Sequence, residues 1–114
     1  MSDWRPSARS LAKIYECAHA ILPDEACGFI HLCGQVILMP NTAPFPRRYF
    51  EMATSDILTA YEDADRSGCG MAAVWHSHPN GSLHWSERDR RFWVPNLVNI
   101  LVANTDVGWQ AIYH

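Results

Sequence analysis

The stretch MAAVWHSHPNG, from Met71 to Gly81, constrains this chain more than any other. Its first five residues are apolar without helical spacing, which reads as a buried strand. Pro79 cannot donate to a sheet ladder and ends it, and Asn80-Gly81 turns the chain. A strand projects residues i and i+2 onto one face, so His76 and His78 should leave the strand end side by side while Trp75 faces a core on the other side. Eleven residues beyond His78 stands Asp89, where a helix is expected to begin. Two imidazoles and a carboxylate make a three-ligand zinc site with one position open to water, the catalytic rather than the closed structural arrangement. Ser86 and Asp89 also read as a helix cap, with Asp89 answering at the third helical position, where Glu or Gln is usual. The two readings are compatible, because a cap can orient a ligand.

The rest of the chain supplies a frame for that strand. Ser7 caps a first helix whose apolar face is Leu11, Ile14, Tyr15, Ala18, Ile21 and Leu22, and Pro23 ends it. CGFIHLC reads as a strand, Gly34 as a tight turn and QVILM as a second strand, so Glu25 falls at the mouth of the first. By itself Glu25 reads as a solvated loop carboxylate, like Asp24 beside it. The loop NTAPFPRRYF is stiffened by Pro44 and Pro46; Arg47 and Arg48 on it are either solvated or set to meet a substrate carboxylate. A second helix is expected with Thr54 or Ser55 as its cap, a buried stripe of Ile57, Leu58, Tyr61 and Ala64, and an end at Ser67-Gly68. A short third helix should run from Ser86 to about Val94, before Pro95. LVNILVA and WQAIYH then read as strands joined by a turn from Asn104 to Gly108. The order helix, two strands, helix, strand, helix, two strands implies an α/β fold: one compact domain over residues 1–114, a mixed central sheet covered by helices.

Composition excludes several classes. With 114 residues, 48% hydrophobic and 18% charged, the chain is one folded domain rather than a disordered segment. A net charge of −3 without a basic block gives no footprint for nucleic acid or an anionic membrane. No apolar run is long enough to span a bilayer, and MSDWRPSARS lacks the apolar centre of a signal peptide. Cys17, Cys27, Cys33 and Cys69 show no CxxC spacing and are expected as reduced thiols in the cytoplasm. HExxH is absent, as is the HxE and PCxxC pair of nucleobase deaminases. Two histidines and a carboxylate could hold ferrous iron for an oxygenase, but that reading has no support from Ser86 or Glu25.

The pattern His76-x-His78, seven residues, Ser86-x-x-Asp89, with Glu25 upstream in DEACGF, resembles the signature of the JAMM (MPN-type) metallopeptidases, and the resemblance runs from about Leu11 to Tyr113. It implies one Zn2+ per chain held by His76, His78 and Asp89, with Glu25 as general base and Ser86 as donor to the oxyanion. It also implies an MPN-like α/β domain with the metal at the edge of the central sheet. The implied reaction is hydrolysis of a peptide or isopeptide bond. DEACG and EDADRSG resemble the proteases that trim ubiquitin-like sulfur carriers; RYFEM, HSHPNG and SERDRR resemble the JAMM proteins of phage tail assembly. A partner protein or peptide is therefore expected, bound as an extended chain near NTAPFPRRYF. MPN domains that have lost the metal serve as scaffolds, and such a binding module is the alternative class.

Overall fold

In the computed structural model, which describes residues 3–114, eight elements follow one another: α1 (Ala8–Ile21), β1 (Cys27–His31), β2 (Val36–Met39), α2 (Thr54–Ser67), β3 (Met71–His78), α3 (Glu87–Arg91), β4 (Val98–Thr105) and β5 (Gly108–Tyr113). The strands form one sheet in the order β2-β1-β3-β4-β5. β3 is its centre, antiparallel to β1 and parallel to β4, and the outer pairs are antiparallel. This is the mixed sheet with helices that the sequence implies.

Alternation along β3 divides the core into two layers. Trp75, fully buried, faces α1 and packs with Ile14, Ala18, Ile30, Ile100 and Val102. Val74 faces the opposite way and packs with Phe29, Met39 and Ala60 of α2. Each large aliphatic side chain buried in these layers contributes roughly 1.5–3 kcal/mol relative to exposure. His76 and His78 share the face of Val74, so the histidines emerge on the α2 side of the sheet. Gly28 sits where β1 passes closest to its neighbours: any Cβ there would collide with the Ile37 carbonyl of β2 and the Trp75 indole.

Ser7 caps α1 by accepting the Ser10 N–H at 3.1 Å, and Leu22, placed on its apolar face by periodicity, is 36% exposed. α2 starts at Thr54 with Ala53 at the cap position and no side-chain cap bond, so neither Thr54 nor Ser55 caps it. Its buried stripe runs Ile57, Ala60, Tyr61 and Ala64; Leu58 is 59% exposed. The stripe keeps helical spacing, but it selects small Ala60 where the helix approaches the sheet. Gly68, at φ 78°, supplies the left-handed residue that ends α2. α3 stops at Arg91 rather than near Val94. The Asn99 side chain explains this: its Oδ1 accepts the Val94 N–H at 3.1 Å and its Nδ2 donates to the Val94 and Leu97 carbonyls, so those backbone groups are committed outside a helix. β4 extends to Thr105, leaving only Asp106 and Val107 to turn into β5. Among the described residues no helix is long and apolar enough to cross a membrane, and all four cysteines are free.

Candidate metal centre

The register between β1 and β3 builds the site. Cys27 pairs with His76, and each step back along β1 is a step forward along β3. Extended by two residues, that register sets Glu25 across from His78 on the same face. Ser77, the residue between the histidines, fixes the extension. Its backbone N–H donates to the Ala26 carbonyl at 2.9 Å, and its hydroxyl oxygen accepts the Ala26 N–H at 2.8 Å. The Glu25 backbone is also clamped from the loop side. Its N–H donates to the Pro46 carbonyl at 2.7 Å, and its carbonyl accepts from Asn41 Nδ2 at 2.9 Å. Glu25, His76 and His78 are 4%, 5% and 7% exposed. They offer one ligand atom each within 4.8 Å of one another, so the three could hold a metal ion.

Asp89 arrives from α3. Ser86 and Asp89 form a reciprocal cap: the Asp89 N–H donates to Ser86 Oγ at 3.0 Å and the Ser86 N–H to Asp89 Oδ2 at 2.9 Å. The cap turns the carboxylate inward, where Oδ1 lies 3.2 Å from His76 Nε2 and Oδ2 lies 3.0 Å from His78 Nε2. Two ligands at ~2.05 Å from a tetrahedral zinc stand roughly 3.3 Å apart, so these separations suit a shared cation. The tautomers favour one as well. His78 Nδ1 faces the Ser82 carbonyl at 3.0 Å, and a carbonyl only accepts, so the ring proton is assigned to Nδ1. A protonated His78 would donate from Nε2 to Asp89; a neutral one with its proton on Nδ1 points an Nε2 lone pair at that carboxylate, and a cation between them would satisfy both. Buried His76 Nε2 and Glu25 Oε1 lack well-aligned hydrogen-bond partners. The donor set, nitrogen and carboxylate oxygen, is one that zinc accepts.

Burial and charge set the protonation states. Burial pushes Glu25 up to about 8, with His78 pulling it down and Asp89 pushing it further up. Burial lowers His76 despite its contact with Asp89. His78 is raised: burial works against its charge, but Asp89 and Glu25 outweigh it. For Asp89, burial opposes ionisation, yet bonds from His76 and His78 hold it well below the usual carboxylate range. Burial pushes the Cys27 thiol up to about 12, which leaves it a neutral core group.

Beside the centre lies a cavity of about 420 Å³, with His76 and Asp89 in its wall. Phe50, Met52, Ile57, Trp85, Phe92 and Trp93 line much of the remainder. The His76 ring lies near-parallel to Phe50, centroids 4.7 Å apart, with Trp85 at 5.9 Å. Trp85 lines the cleft. Trp93 also reaches the cavity and stacks on His114. The roles of Phe50, Ser82 and Asn41 escaped the sequence reading. Asn41 and Phe50 flank the proline-containing loop, and only their placement around Glu25 and His76 gives them meaning. Arg47 and Arg48 do not line the cavity, whereas Arg88 does, bonded to Glu51 at 2.7 Å and lying 4.0 Å over the Tyr49 ring.

Comparison with known families settles the domain type, since the model for prokaryotic homologs of the JAB domain matches residues 7–112. The chain belongs to this JAB family. It is the JAB/MPN family, which includes metalloproteases, in keeping with the JAMM signature. Two solved structures share the fold. The solution structure of protein DSY2949 from Desulfitobacterium hafniense aligns with a TM-score of 0.72 at 23% identity, over 93% of this chain and 87% of that one. The solution structure of a protein from Salinibacter ruber aligns at 0.58 and 20% identity, over 96% and 80%. The comparison with curated proteins finds no match.

Proposed function

We propose that this JAB domain is a zinc-dependent metallopeptidase in which His76, His78 and Asp89 hold the metal, Glu25 is the general base and Ser86 stabilises the oxyanion. The observation that carries the proposal is the convergence of His76, His78 and Asp89 with buried Glu25, whose Oε1 lacks a partner, beside an apolar cavity. Zinc held there supplies Lewis acidity and activates water near neutral pH. Glu25 takes a proton from the attacking water and returns it to the leaving amine; a cation nearby lowers its pKa from the raised value into a useful range. Ser86 Oγ is already occupied as the acceptor of the Asp89 N–H, and its own hydroxyl proton remains available to a developing oxyanion. Phe50 and Trp85 flank His76 and keep bulk water from that side of the site.

The substrate is a peptide or isopeptide bond in a protein partner. The resemblances in DEACG and EDADRSG favour the tail of a ubiquitin-like sulfur carrier; those in RYFEM and SERDRR favour a phage tail protein. Four free cysteines suit a cytoplasmic setting for either. The cavity suits a large apolar side chain near the scissile bond. Cleavage of a sulfur-carrier fusion at its Gly-Gly end and of candidate tail proteins, each with and without a chelator, tests this. Chelator-sensitive cleavage is expected, and Ile57→Trp, which fills the cavity, should raise KM while zinc is retained. Intact substrates in the presence of zinc-loaded protein would favour the scaffold class.

A further inference from the structure

At the end of the sheet opposite the metal centre, two turns meet. β1 leaves the sheet at His31, which pairs with Met71 at the start of β3. One residue further out, the Leu32 N–H donates to the Gly70 carbonyl at 3.0 Å. The next residues along the two segments are Cys33 and Cys69, and their thiols lie close enough for each to shift the other's ionisation. Both turns are held. The Gly34 N–H donates to the His31 carbonyl at 2.8 Å, and the Cys69 N–H donates to Ser67 Oγ at 3.3 Å. A disulfide needs Cα atoms roughly 4.4–6.8 Å apart, and the Leu32–Gly70 bond holds the two segments side by side one residue away from the pair. Cys33 is exposed and Cys69 half-buried, so solvent reaches the pair. The other two cysteines are placed differently: Cys27 is buried in the sheet, and Cys17 lies on α1 against the core.

We propose that Cys33 and Cys69 form an oxidation site, a dithiol that closes to an intramolecular disulfide with small disulfide oxidants such as oxidised glutathione. Cys33 is the attacking sulfur. It is the more exposed, and the Cys69 thiol and the Gln35 backbone hold its thiol below the ordinary value. Its thiolate attacks one glutathione sulfur, the oxidant's S–S bond breaks, and one glutathione thiolate leaves. Cys69 loses its proton to solvent and attacks the Cys33 sulfur of the mixed disulfide, which releases the second glutathione. The protein loses two electrons and two protons, and one glutathione disulfide becomes two glutathione thiols. The closed loop carries β2, the segment with Phe50 and Met52, and α2 with Ile57. Oxidation therefore tethers one wall of the cavity to the sheet from its far end, and it constrains the unfolded chain.

The test is incubation of the intact protein with oxidised glutathione, followed by intact mass and non-reducing peptide mapping. The parent should lose two hydrogens and yield one crosslinked peptide pair joining Cys33 to Cys69. Its Tm should rise by about 5–15 °C and return with dithiothreitol. Cys69→Ser should instead keep one glutathionyl group on Cys33, and Cys17→Ser should behave as the parent. Stable glutathionylation of the parent without ring closure, a bridge to Cys17 or Cys27, disulfide-linked dimers, or no reaction at all would each overturn the proposal. None of these readouts depends on hydrolytic activity, so the result stands apart from the metallopeptidase reading.

Discussion

Ser77→Ala isolates the device that holds Glu25 beside the histidines. Ser77 is fully buried, and its hydroxyl oxygen accepts the Ala26 N–H at 2.8 Å. Alanine removes the acceptor and leaves a buried backbone donor unpaired, at a cost of about 1–3 kcal/mol. A chain of 114 residues unfolds with an entropy of roughly 240 cal/mol/K, so Tm should fall by about 4–12 °C. The site should suffer beyond this stability loss, because the segment carrying Glu25 is anchored to β3 by that bond. The control is Ser7→Ala, which removes the α1 cap and costs about 0.5–2 kcal/mol far from the centre. Thermal melts and turnover measured well below both midpoints make the comparison. Ser77→Ala should lose activity out of proportion to its stability, and Ser7→Ala should not. If Tm of Ser77→Ala shifts by less than about 1 °C, or if both variants keep full turnover, the positioning role is wrong.

Two further outcomes follow from burial. In metal-free protein Glu25 is raised from 4.5 to about 8, so between those values the folded chain holds a proton that the unfolded chain releases. Stability should therefore fall as pH rises through that window, and Glu25→Gln should flatten the slope; identical slopes in thermal melts at several pH values would refute this. Gly28→Ala forces a Cβ into the Ile37 carbonyl and the Trp75 indole, and should cost about 1–3 kcal/mol or more. A variant that melts with the parent would mean that β1 and β2 separate freely there.

Much of the centre was legible because its residues sit on one strand and one helix cap, where spacing translates directly into placement. His76 and His78 follow from the period of two, and Asp89 follows from the cap that Ser86 makes. Glu25 was legible only through the family pattern, because its position depends on a long-range register between β1 and β3 that no local signal encodes. Ser82, Asn41 and Phe50 were not legible for the same reason: a backbone carbonyl, a loop amide and an aromatic ring become parts of the site only when the chain folds around His78 and His76. The same limit explains Leu58 and Ala60. Periodicity finds a helical face, but the distance between helix and sheet decides which of its residues is covered. α3 ended early because Asn99, five residues beyond Val94, captures the Val94 backbone.

The central claim is that Asp89 holds the metal while Glu25 works beside it, and zinc content measured with turnover in the same preparations tests it most directly. The parent should carry about one zinc per chain. Glu25→Gln should keep that zinc and its melting temperature in the loaded form, and lose hydrolysis by about 10²–10⁴-fold. Asp89→Ala should lose zinc affinity steeply, and the stability that metal confers with it. If Glu25→Gln loses zinc as completely as Asp89→Ala, Glu25 is a ligand, the site is closed and the metal is structural, and the account is contradicted.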